Sequence, residues 1–158
     1  MSFAIVARSI RGVSVGAVAL VCSLSAVSAS AEGKHDRNEG LDSIEHEAFS
    51  IELKPSSAAV GQVASVSVSV KAKGGFHLNQ DYPHKLKLED VPAGVRVEKT
   101  ELRRADAELD ERQLTFKLVA TPEKAGRHTI HAVLKTSVCD DKQCILKSEK
   151  LTLHVVAK

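Results

Sequence analysis

Apolar and polar residues alternate one for one in short runs along most of this chain, and no stretch repeats them at helical spacing. The clearest run sets Val66, Val68 and Val70 against Ser65, Ser67, Ser69 and Lys71. Only an extended strand, whose side chains point to opposite faces in turn, separates such a segment into one apolar and one polar face. The same alternation runs through Phe49, Ile51 and Leu53, through Leu86 and Leu88, through Leu114, Phe116 and Leu118, and from Ile130 to Val138. Val95 and Val97 begin another run, and Leu151, Leu153 and Val155 mark the last. Lys54-Pro55-Ser56-Ser57, Gly74-Gly75, Val91-Pro92-Ala93-Gly94 and the stretch from Thr121 to Gly126 carry turn residues between them. Residues 98–113 are dense in charge and read as a long loop or a short helix. Seven or eight strands, with turn signals every 8 to 15 residues, predict an all-β fold: an immunoglobulin-like antiparallel β-sandwich. No internal repeat or low-complexity segment interrupts the pattern.

The amino terminus predicts export. Arg8 and Arg11 precede an apolar run from Gly12 to Val27, and Ala29-Ser30-Ala31 supplies the small residues of a cleavage site. Residues 1–31 are therefore expected to be a cleavable signal peptide and the product periplasmic. Cys22 follows Leu20-Val21, where lipoprotein processing would need a small residue. No other stretch approaches the ~20 apolar residues of a membrane span, so no stable membrane insertion is expected after cleavage. Residues 32–47 are charged and aperiodic and read as a flexible linker, which leaves residues 48–158 for one domain. Removing Arg8 and Arg11 from 22 basic residues leaves 20 against 20 acidic ones. A chain of zero formal charge with no tryptophan and one tyrosine has neither the field nor the stacking platforms for nucleic acid.

Cys139 and Cys144 are the only cysteines after the signal peptide, separated by Asp140-Asp141-Lys142-Gln143. If one ends a strand and the other begins its partner, they stand opposite each other across a hairpin, within disulfide reach. Cys139 shares parity with His131, Val133, Lys135 and Ser137, the more polar face, which places it near the surface. So short a loop removes little unfolded-state entropy, since even ~15 residues are worth about 3 kcal/mol. Asp140 and Asp141 oppose thiolate formation, whereas Lys135, Lys142 and Lys147 favour it. The residues alone leave three roles open: a redox pair, a structural cystine or metal ligands.

From Gly75 onward the chain resembles the amino-terminal (alpha) domain of the thiol:disulfide interchange protein DsbD family. The likeness runs through Gly75-Phe76-His77-Leu78-Asn79 and Leu114-Thr115-Phe116, then the Cys139 to Cys144 segment and Leu151-Thr152-Leu153. It covers about 80 residues, with Phe49 to Lys71 matching as pattern alone. The resemblance implies an immunoglobulin-like domain with redox cysteines on a late hairpin, Cys144 attacking and Cys139 resolving. It also implies a membrane thiol reductase as donor and periplasmic thioredoxin-like or disulfide-isomerase proteins as acceptors. Best-known members have a longer spacer, and Tyr-Pro-Pro where this chain has Ile145-Leu146-Lys147. They also cover the pair with an aromatic-bearing loop. Residues 98–105 hold no aromatic here, and Leu102 is the large apolar candidate for a lid. No membrane electron-transfer region follows Lys158, so a carrier or adaptor is expected rather than a complete oxidoreductase.

Two other readings stand beside this one. The first is a non-catalytic binding module whose cystine pins the hairpin. The second is a copper- or zinc-binding protein using His77, His84 and the thiols. His128 and His131, three apart on a strand, face opposite ways and chelate poorly, and the cysteine spacing differs from that of structural zinc knuckles. Solvated or turn-capping histidines are the plainer expectation, so no metal or other cofactor is assigned.

Overall fold

The computed structural model describes residues 42–158. The expected signal peptide and most of the expected linker lie outside them. The strands in chain order are β1 (Ser43–Glu45), β2 (Phe49–Lys54), β3 (Ser56–Ala58), β4 (Ala64–Ala72), β5 (His77–Leu78) and β6 (Lys85–Asp90). They continue with β7 (Val95–Val97), β8 (Glu101–Arg103), β9 (Ala107–Leu109), β10 (Gln113–Pro122), β11 (Gly126–Cys139) and β12 (Cys144–Ala157). One 3-10 turn, Arg104–Asp106, joins β8 to β9.

These strands form two six-stranded sheets packed as an immunoglobulin-like β-sandwich. The first runs β1-β2-β4-β10-β7, with β9 also on β10; the second runs β3-β12-β11-β6-β8, with β5 also on β11. All pairings are antiparallel except the short one between β3 and β12. Alternation decides which face turns inward. Val66, Val68 and Val70 of β4 stand opposite Leu118, Phe116 and Leu114 of β10, and all six are buried. Leu86 and Leu88 of β6, Leu134 and Ala132 of β11 and Leu151 and Leu153 of β12 close the core from the other sheet. Gly126 opens β11 at φ 118°, a conformation that costs other residues more.

Four expectations change. A strand, β1, lies inside the expected linker, where Ile44 pairs with Ile51 and is buried; one apolar residue among charged and polar neighbours leaves no period to read. The Lys54–Ser57 turn is instead a crossing: the chain leaves the first sheet at β2, passes Pro55 and enters the second as β3. Residues 98–113 are neither one loop nor a helix, but two three-residue strands around the 3-10 turn. Ser69, expected on a wet face, is buried, and its hydroxyl lies 3.1 Å from that of Thr115 directly across the strand pair.

Candidate functional site

The cystine closes the far end of the longest hairpin. β11 and β12 stay in register from Gly126 opposite Ala157 to Cys139 opposite Cys144. The loop between them is set by Asp140. Its backbone N–H donates to the Gln143 carbonyl at 2.9 Å, and its Oδ1 accepts the N–H groups of Lys142 and Gln143, each at 2.8 Å. Those two backbone donors hold the Asp140 carboxyl below the usual carboxylate range. Asp140 and Gln143 thus form a hydrogen-bonded rung, and the next rung, Cys139 and Cys144, is the close non-hydrogen-bonded kind. Their Cα atoms are 4.0 Å apart and the sulfurs form a disulfide.

The two sulfurs differ in access. Cys144 is exposed, while Cys139 is only 7% exposed. Parity with Lys135 puts Cys139 on the outer face, as expected, but not at the surface. The reason is β5, which lies on the other side of β11 and pairs Leu78 with Val138 and His77 with Cys139. Cys139 therefore sits between two strands, with Cys144 on one side and His77 on the other. Arg112 anchors the approach to β5 by donating to the carbonyls of Gly74 and Phe76 at 3.3 and 2.8 Å. The Leu78 N–H donates to Glu111 O at 2.8 Å.

Beyond β5 the chain loops out and returns as β6 on the same side of β11. Asn79 starts this loop. Its N–H donates to Ser137 O at 3.0 Å, its Oδ1 accepts the Asp81 N–H, and its Nδ2 points at Cys144 Sγ from 4.0 Å. His84 ends the loop, only 1% exposed. Its Nε2 is 2.7 Å from Asn79 O and its Nδ1 3.0 Å from Thr136 Oγ1. A carbonyl only accepts, so Nε2 carries the proton and Nδ1 accepts from the Thr136 hydroxyl. Burial lowers the His84 imidazole below its ordinary value against the opposing pull of the Asn79 carbonyl, and the Arg104 charge lowers it further. His84 thus fills, as a neutral ring, the break in the β11 edge between β5 and β6. Ser137, two residues from Cys139 on the same face, is fully buried, with no hydrogen-bond partner for its hydroxyl among the described residues.

The sequence-predicted residues divide accordingly. Cys139 and Cys144 come together. His77 stands beside them in the sheet, and His84 reaches them only through Asn79. Both His84 nitrogens are occupied by Thr136 and Asn79, and the described residues contain no group of three or more His, Cys, Asp or Glu side chains arranged to hold a metal. Leu102 is no lid: at 4% exposure on β8 it pairs with Leu86 and belongs to the core. The segment beside the cystine is 76–84 instead, which carries Phe76 and Tyr82. Sequence reasoning missed Leu146, on the same face of β12 as Cys144, two residues along and 63% exposed. Its parity with Cys144 was the available signal.

No protein-family model and no curated protein matches the chain. Among solved structures it is similar to AggA, the major subunit of aggregative adherence fimbriae type I from Escherichia coli. The identity is 9% and the TM-score 0.37, over 77% of this chain and 99% of that one. It is also similar to a PapD-like domain of human CEP192, at 12% identity and TM-score 0.31, over 73% of this chain and 89% of that one. The CooA pilin subunit of enterotoxigenic Escherichia coli follows at 9% and 0.25, over 66% and 92%. Likenesses this distant carry no functional information. Among the described residues, no helix is long and apolar enough to cross a membrane. The molecule is thus an immunoglobulin-like module with a cystine on its late hairpin.

Proposed function

We propose that this domain exchanges thiols and disulfides with partner proteins through Cys139 and Cys144, as a carrier in an oxidising compartment such as the periplasm. The observation that carries the reading is the unequal access of the two sulfurs: Cys144 faces solvent while Cys139 is buried in the sheet between β5 and β12. An exposed sulfur is open to in-line attack, and a shielded one serves as the internal leaving and resolving group. A partner thiolate attacks Cys144 Sγ, the Cys139–Cys144 bond breaks, and Cys139 leaves as thiolate. The partner's second thiolate then attacks its own sulfur in the mixed disulfide and releases Cys144. Two electrons pass from the partner's dithiol to Cys139 and Cys144, and the partner leaves oxidised. The same steps in reverse pass them to an acceptor disulfide.

Two further points support this reading. The hairpin keeps fourteen residue pairs in register, so the bond adds little as a staple. The Gly75–Asn79 segment of the DsbD resemblance packs directly against the cystine. The thioredoxin-like acceptors and the membrane thiol reductase enter from that resemblance and belong to this proposal.

One observation favours a second reading, a non-catalytic binding module with a structural cystine. Cys139 is buried, and the side chain hydrogen-bonded to the cystine is a neutral amide, Asn79, which brings no charge to stabilise a thiolate. Trapping separates the two. Cys139→Ala should accumulate a mixed disulfide through Cys144 when offered an oxidised thioredoxin-like protein, and Cys144→Ala should accumulate far less. Equal trapping by both variants, or none by either, contradicts the exchange reading.

A further inference from the structure

The outer face of the second sheet carries a basic track beside the cystine. A cavity of about 450 Å³ opens between the 79–84 loop, the β8 turn and β11, lined by Tyr82, Pro83, His84, Ala105 and a ring of charge. The cations are Lys85, Arg103, Arg104 and Lys135, against one carboxylate, Glu101. Glu101 is already engaged, 2.7 Å from Arg103 Nε and 3.8 Å from Lys85 Nζ. Burial, with a smaller push from the Arg104 charge, lowers the ionisation of His84, so the positive charge of the cavity rests on the lysines and arginines. A second cavity of about 180 Å³ shares Lys85 and Lys135 and adds Lys87, Val133 and Glu89. The two flank the same pair of lysines, Lys85 and Lys135, on β6 and β11. Their cationic excess stands out because formal charges over residues 32–158 balance as a whole.

We infer that this track docks an extended, acidic segment of a partner protein. Charge complementarity selects the acidic partner, because opposite potentials steer encounter and fix register. Two neighbouring cavities, with the Tyr82 ring and Pro83 in one and Val133 in the other as apolar lining, suit a run of chain rather than one small anion. That this partner also reacts at Cys144 rests on the exchange reading above; the binding itself does not. The geometry links the two, since Asn79, at the start of the loop that walls the track, contacts Cys144. Lys135 lies four residues from Cys139 on the same strand face, about 14 Å away.

The test uses the oxidised protein and a fluorescein-labelled hexaglutamate peptide, read by anisotropy, with amide shifts of Tyr82 and Ala105 followed by NMR. Paired Arg104→Glu and Lys135→Glu changes, both at exposed positions, should weaken binding about tenfold or more. The same charge change at Lys54→Glu and Lys158→Glu, away from the track, should leave it within about twofold. Equal weakening by both pairs, or no shift at Tyr82 and Ala105, overturns the assignment. Competition by free succinate at the peptide's own concentration overturns it too, in favour of a small dicarboxylate. A Cys139→Ala, Cys144→Ala variant should bind the peptide as the native chain does. Failure of the exchange reading therefore leaves this result standing, and failure of peptide binding leaves exchange untouched.

Discussion

His84 shows what a single residue's surroundings decide. In sequence it is one of seven histidines and reads as a solvated side chain or a metal ligand. In the fold it is a buried strut whose two nitrogens satisfy Thr136 and Asn79. Burial holds its folded-state ionisation below the ordinary 6.5. The unfolded chain therefore binds the proton first as pH falls, and stability rises with pH in this window. The contribution is full above about 6.5 and is lost as pH drops toward the folded value. Urea midpoints should accordingly fall between about pH 7.5 and about pH 5.5, and His84→Gln should flatten that slope while lowering the midpoint at both. His154, also lowered by burial, retains part of the slope. A slope unchanged in His84→Gln would mean the imidazole is not held neutral by the fold. Nothing in the letters around position 84 announces this role, because its partners lie 5 and 52 residues away.

At the scale of elements, strands long enough to show their period were legible, as was β7 from Val95 and Val97, and the other short ones were not. β2, β4, β6, β10 and β11 each bury an alternating set of side chains, so the pattern that fixes their inner face is also the one visible in sequence. β1, β3, β8 and β9 have three residues each and exist because a neighbouring strand offers an open edge. The first half of β12, from Cys144 to Lys150, shows no alternation, since Ile145 and Leu146 adjoin and Lys147 to Lys150 are all polar, and only its register with β11 makes it a strand. That register is why the cysteines meet, and it also limits what their bond contributes. Cys139→Ala, Cys144→Ala should remain folded and lose about 2 kcal/mol or less in urea unfolding. Loss of the cooperative transition would show instead that the cystine holds the hairpin together.

For the molecule as a whole, the two sheets supply a rigid frame that places one sulfur outside and one inside. The cysteine pair, its hairpin and the sandwich were all readable in advance. Readable too was the short loop that makes the bond a weak staple. The shielding of Cys139 was not, since it depends on β5 crossing from the Gly74-Gly75 turn to the edge of a strand some 60 residues later. The basic track likewise gathers Lys85, Arg103, Arg104 and Lys135 from three separate segments. The account stands on the claim that the cystine opens and closes while the sandwich persists. Its most direct test is the reduction potential of Cys139–Cys144, measured by equilibration against graded thiol buffers with the fold followed in parallel. Exchange predicts a value less negative than about −300 mV with the β-sheet signal unchanged on reduction; a value more negative than about −300 mV contradicts it and marks a structural bond.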